Sequence, residues 1–301
     1  MTRYGYVGLG MMGSAMAQNL IGTGAEVTVF DLAAAPLATA VEQGATAAAN
    51  PAEVAQRSDV VSICVPAAEH IGAVLTGTNG MAAGAHPGLS IVIHSTVHPD
   101  TMRAAHETAA SWGVPLFDAC VAGGADNARA GTQTVLAGGV EEMPDQVRAL
   151  LDIYATKIIA AGPVGAGAAL KIAINVMTYA QFAAAATGHD LVQAQGGDPT
   201  SLLDAWREMG QLGTLTEQYS AMLGIPAAHI VGDFRHMLET QVGIGQKDLA
   251  LATQLGPARA GAAEMLEALH DMMPAIYNVD EEHSACAAST GRATTNPAPT
   301  S

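Results

Sequence analysis

The stretch "YGYVGLGMMGSAMAQNL", residues 4–20, decides the fold. Tyr4 to Val7 read as a short strand, Gly8, Gly10 and Gly13 follow at once in G-x-G-x-x-G spacing, and Met12 onward reads as a helix. In such a strand–turn–helix unit one glycine makes the tight turn. Another lets backbone approach a pyrophosphate, and the third lets helix pack closely on strand. The helix N-terminus adds amides and a partial positive charge. Gly8, Leu9, Gly10, Met11, Met12 and Gly13 are therefore the expected contacts to a dinucleotide. A second strand, "EVTVFD", ends at Asp31, 18 residues past Gly13. A carboxylate there accepts both ribose hydroxyls of NAD and repels a 2′-phosphate. The next basic residue is Arg57, so NAD is expected in preference to NADP.

Outward from this unit, β-branched runs alternate with helical stretches, the rhythm of a parallel sheet. Further strands are expected at residues 60–65, 89–94, 114–117 and 133–137, with a shorter one near 157–160. Helices are expected at 12–22 and 99–112, the latter opening at Pro99, Asp100 and Thr101. After Gly162 strand signals stop. A long helix former runs from Val164 to about Gln195, interrupted by Gly188, and Pro199 and Ser201 suit a further helix start. The expected fold class is α/β: an N-terminal Rossmann doubly wound parallel sheet (1–163), then an all-α C-terminal domain (164–288) joined through a long interdomain helix. The polar, Pro-containing stretch 289–301 is expected to be disordered.

Half of the 301 residues are apolar and only 13% are charged, which fits a globular chain with a large core. The net charge of −16 repels phosphate backbones and anionic membranes. No nucleic-acid or membrane partner is expected. The apolar run at 165–186 carries Lys171, Asn175 and Gln181, so it reads as a buried helix. Cys64, Cys120 and Cys286 have no metal-ligand spacing. No metal is expected, and a reduced, cytoplasmic setting is.

With the glycine turn in place, four further segments follow in order. They are "IHSTVHPDT" (93–101), "FDACVAGGADNARAGTQTVLAGG" (117–139), "GPVGAGAALKIAIN" (162–175) and "GQKDLALA" (245–252). Together the five motifs resemble the β-hydroxyacid dehydrogenase family, which includes 3-hydroxyisobutyrate dehydrogenase and tartronate semialdehyde reductase and is related to 6-phosphogluconate dehydrogenase. The resemblance implies a hydroxyacid dehydrogenase acting on a small-molecule acid, usually as a homodimer or homotetramer. It implies Lys171 as the catalytic lysine, with Asn175 its partner one turn later. It places the substrate's acid group on Gly123 and Gly124, beside Ser95 and Ala122. Val65, Pro66 and Thr96 become cofactor contacts. Lys247 closes over the nicotinamide side and touches substrate and cofactor, with Asp248 orienting that segment.

The chemistry supports the lysine. Alcohol oxidation needs a group that takes the hydroxyl proton and returns it in reduction. Lysine can do so where its surroundings lower its pKa, whereas arginine stays protonated. The chain has three lysines against nine arginines, yet uses lysine at 171 and 247.

The acid-binding loop departs from the family's Asp-Ala-Pro-Val-Ser-Gly-Gly. Cys120 replaces proline, Ala122 replaces the serine whose hydroxyl assists carboxylate binding, and Asn127 stands where glycine is common. His94 and His98 add polar groups around Ser95 and Thr96. Two other readings follow. An imine or other carbonyl reductase of the same fold accounts for the altered loop but not for Lys171 and Asp31. A non-catalytic NAD-binding protein has no need of Lys171, Asn175 and Lys247 together.

Overall fold

The computed structural model describes residues 2–256 and 259–280. Strands and helices alternate as β1 (Tyr4–Val7), α1 (Met11–Gly22), β2 (Val27–Phe30), α2 (Ala34–Glu42), β3 (Thr46–Ala47), α3 (Pro51–Arg57), β4 (Val60–Ile63) and α4 (Ala68–Thr76). They continue as β5 (Ser90–Ile93), α5 (Pro99–Ala110), β6 (Leu116–Ala122), α6 (Gly124–Ala130), β7 (Gln133–Gly138), α7 (Asp145–Tyr154) and β8 (Ala155–Gly162). Five helices follow: α8 (Ala166–Ala194), α9 (Pro199–Glu208), α10 (Thr214–Leu223), α11 (Gly232–Gln254) and α12 (Ala262–Ile276). The expected disordered stretch 289–301, like Cys286, lies outside the described residues.

The eight strands form one sheet in the order β3-β2-β1-β4-β5-β6-β7-β8. The first six strands are parallel, in the Rossmann arrangement. β7 is not: it pairs antiparallel with β6, and β8 runs parallel to β7. The ten residues 123–132 that join β6 to β7 are too few for a parallel crossover, so the chain doubles back. The sheet is thus mostly parallel, as expected, with a single antiparallel pairing between β6 and β7. β3, two exposed residues at the sheet edge, carries too little pattern to be read in advance.

The central strands β1, β4 and β5 are buried along their whole length, as strands covered on both faces must be. Tyr6, Met16, Leu20, Phe117, Leu150 and Tyr154 build the core on one face, each almost wholly out of water. Burying a side chain of that size contributes about 1.5–3 kcal/mol. Gln133, at the start of β7, is a buried polar residue. It is fully buried, and neither its Oε1 nor its Nε2 has a hydrogen-bond partner among the described residues. Replacing it with the similarly sized leucine removes two unsatisfied polar atoms. Gln133→Leu is expected to raise the unfolding free energy by about 1–3 kcal/mol, read as a higher urea midpoint. A lower midpoint would show that the amide is satisfied by an internal water.

By compactness the chain divides between Ala173 and Ile174, inside α8. The expected boundary at 163/164 marks the exit from β8 at Gly162. The first turns of α8 belong to the first unit because backbone amides at the helix start are bonded to Asp118 of β6. Gly188 does not interrupt α8. A Cβ there would sit 3.1 Å from Trp206 and 3.3 Å from Leu202, so glycine lets α9 pack closely in the second unit. That unit's core stacks Phe182 on Tyr219, with Tyr277 edge-on to both.

Candidate active site

In the first unit, parallel strands deliver the expected contacts to their carboxyl ends. Gly8–Gly13 follow β1, Asp31 follows β2, Val65 and Pro66 follow β4, Ser95 and Thr96 follow β5, and Gly123 and Gly124 follow Ala122, the last residue of β6. The strand order reverses between β1 and β4, the point at which open α/β sheets bind ligands.

The glycine turn fits a dinucleotide on steric grounds. A Cβ on Gly8 would lie 2.2 Å from the Cys64 carbonyl oxygen, and one on Gly13 2.0 Å from the Gly8 carbonyl oxygen. A Cβ on Gly10 would meet nothing within 4 Å, which leaves open the approach to the α1 amino end that phosphates require. Asp31 does not cap α2, whose N-cap is Ala33. Its Oδ2 accepts from the Leu9 amide at 2.6 Å and its Oδ1 from the Ala33 amide at 2.7 Å. The carboxylate is thereby held against the turn. Ser95 Oγ accepts from the Val65 amide at 2.9 Å and so joins two expected segments.

Asp118, within the "FDACVAGG" segment, has a role that the sequence did not reveal. It is fully buried and accepts from the Gly165 amide at 2.7 Å and the Ala168 amide at 2.9 Å. A carboxylate at a helix amino end is favoured by the helix dipole. Burial pushes its pKa up, and the backbone bonds act in the opposite direction. Side chains at Gly138 and Gly167 would collide with its carboxylate, their Cβ atoms lying 2.2 Å and 2.7 Å from its oxygens. The signal in the sequence was an acid and two glycine-rich segments spread over fifty residues, too far apart to connect in advance. Lys171 lies one turn beyond Ala168 on the helix that this carboxylate anchors.

Asn175 and Lys247 meet in the second unit through Asp248, which is 2% exposed. Asp248 Oδ2 accepts from Asn175 Nδ2 at 2.6 Å and from the Tyr179 hydroxyl at 3.2 Å, and its Oδ1 lies 2.8 Å from Lys247 Nζ. Asp248 therefore bonds both side chains. Lys171 and Asn175 are one helical turn apart on α8 and share its face.

The two histidines prove structural. His98 caps α5, its Nδ1 accepting from the Asp100 amide at 3.1 Å. His94 is 2% exposed. Its Nδ1 donates to the Ala119 carbonyl at 2.7 Å, and its Nε2 accepts from the Tyr154 hydroxyl at 2.9 Å and lies 3.1 Å from Ser62 Oγ. Burial, opposed by the Ala119 bond, lowers its pKa from 6.5 to about 4. Between those values the unfolded chain binds a proton that the folded chain does not. Stability from this group is complete above pH 6.5 and is lost as pH falls toward 4, by roughly 3 kcal/mol. Urea midpoints taken across that range should fall less steeply for His94→Asn than for the natural chain. Parallel slopes would contradict this.

Among the described residues no group of three or more His, Cys, Asp or Glu side chains could hold a metal ion. None of their helices is long and apolar enough to cross a membrane.

Residues 3–162 match the family model described as the NAD binding domain of 6-phosphogluconate dehydrogenase. An uncharacterised oxidoreductase of Mycobacterium tuberculosis is 36% identical over 258 residues, covering 84% of this chain and 86% of its own. The 3-hydroxyisobutyrate dehydrogenase of Pseudomonas aeruginosa is 31% identical over 288 residues, covering 94% and 95%. The solved structure of Mycobacterium tuberculosis 3-hydroxyisobutyrate dehydrogenase with L-serine matches with a TM-score of 0.78 at 27% identity, covering 96% of this chain and 99% of that one. Sheet order, glycine turn and these likenesses define an oxidoreductase with an NAD(P)-binding domain. The chain belongs to the β-hydroxyacid dehydrogenase family.

Proposed function

We propose that this enzyme interconverts a small 3-hydroxyacid and its semialdehyde or ketone with NAD, and that Lys171 is the general acid/base. The observation that carries the reading is the anchoring of α8 by Asp118. The carboxylate that holds the lysine helix sits on the strand that leads into Gly123 and Gly124. Bound NAD supplies the hydride acceptor. Asp31 favours it over NADP, because a carboxylate beside the turn meets ribose hydroxyls well and a 2′-phosphate badly. Lys171 takes the proton from the reacting hydroxyl and returns it in the reverse direction. Asn175, held by Asp248, orients the reacting oxygen. The backbone at Gly123 and Gly124 holds the acid group without the serine hydroxyl that Ala122 lacks.

The test is a screen of 3-hydroxyisobutyrate, glycerate, 3-hydroxypropionate, 4-hydroxybutyrate and sulfonated analogues with NAD and with NADP. Turnover of at least one acid, with NAD at least tenfold better than NADP in kcat/KM, is expected. Faster NADPH-dependent reduction of cyclic imines than NADH-dependent reduction of semialdehydes would replace this reading with an imine reductase.

A further inference from the structure

We propose that His94 is a positioning residue for the acid-binding loop, acting through its hydrogen bond to the Ala119 carbonyl. The inference rests on the reading of Ala122–Gly124 as that loop. The ladder between β5 and β6 ends at the pair Ile93↔Asp118. From Ala119 onward β6 turns to its other neighbour, pairing antiparallel with β7 from Ala119↔Ala137 to Ala122↔Thr134. The two strand ends that carry Ser95 and Ala122 thus leave each other just where the site begins.

Side chains bridge the gap that the ladder leaves. His94 Nδ1 gives its hydrogen to the Ala119 carbonyl at 2.7 Å, and Cys120 Sγ donates to the Ser95 carbonyl at 3.3 Å. Ser95 Oγ then takes the Val65 amide at 2.9 Å. The ends of β4, β5 and β6 are tied in series, with His94 the strongest link between the last two. A carbonyl only accepts, so Nδ1 carries the hydrogen and Nε2 is left as the acceptor for the Tyr154 hydroxyl at 2.9 Å. That second bond suits the tautomer, and ring packing holds the imidazole in place. Tyr6 stacks on it with ring centres 6.4 Å apart, and Tyr154 meets it edge-on at 5.4 Å. An apolar residue of equal volume would fill the same space without reaching Ala119.

The two halves of the imidazole can be separated. Asparagine at 94 places an N–H near the position of Nδ1 and keeps the Ala119 bond. Glutamine reaches the position of Nε2 and keeps only the Tyr154 side. Tyr154→Phe removes that side and leaves the Ala119 bond. The measurements are kcat and KM for the best 3-hydroxyacid of the screen, together with hydrogen exchange of the amides of residues 119–124. His94→Asn and Tyr154→Phe are expected to keep KM within about twofold. His94→Gln is expected to raise KM about tenfold with kcat nearly unchanged, and to speed exchange at 119–124. Equal effects of His94→Asn and His94→Gln, or an unchanged KM and exchange rate in His94→Gln, would overturn the proposal. If no 3-hydroxyacid is turned over, the function proposed above fails, and the exchange pattern alone decides the role of His94.

Discussion

Lys171→Met is expected to lower kcat by roughly 10²–10⁴-fold while leaving NADH affinity within a few-fold of the natural enzyme. Methionine keeps the apolar stem and loses the group that moves the proton. Lys171→Arg is expected to be almost as inactive. Its positive charge persists, but a guanidinium does not release a proton near neutral pH. Single-turnover kinetics with the best hydroxyacid measure the loss, and NADH fluorescence titration measures the retained binding. An arginine variant with near-normal turnover would remove Lys171 from its proton-transfer role. It would leave charge alone as the requirement at that position.

Asp118→Ala is expected to have the largest effect on stability. It strips the acceptor from the buried Gly165 and Ala168 amides. At about 1–3 kcal/mol for each orphaned group, the loss is about 2–6 kcal/mol. For a chain of this length that lowers Tm by about 3–10 °C, measured by calorimetry. Asp118→Asn retains one acceptor oxygen but turns an N–H₂ group toward the other amide, so an intermediate loss is expected. Because the shortened side chain frees the start of α8, kcat should fall in the alanine variant well below the temperature of unfolding. A variant that melts like the natural enzyme would show that the helix start is held by its packing against β7 instead.

Much of the site was legible from local pattern. The glycine spacing after β1 and the acid after β2 depend on neighbours in sequence and follow from residue type and interval, whereas the roles expected of Lys171 and Asn175 come from the resemblance of their segment to the family. The loop departures at Cys120, Ala122 and Asn127 were visible as substitutions, but their surroundings were not. Asn127 packs over Gly123, where a Cβ would lie 2.7 Å from its Nδ2, so glycine at 123 is enforced by steric contact as well as by its φ of +129°. His94 and His98 attracted notice as polar groups near the site. The first is a core residue and the second a helix cap, and nothing in the intervals around them separates those roles from catalysis.

Local pattern carries the Rossmann order of elements, the switch to helices after Gly162 and the presence of an acid just after β2. These follow from hydrophobic period, turn chemistry and side-chain charge, all of which act over a few residues. Only the tertiary structure decided the reversed direction of β7, the closure of Asp118 on the start of α8, the capture of Asn175 by Asp248, and the reach of His94 to Ala119. Each of the last three is a hydrogen bond between residues 25 to 73 positions apart. Such a bond forms only once the sheet or the helical unit has brought its ends together. Whether a buried acid or imidazole is a reacting group or a brace depends on which backbone groups it then meets.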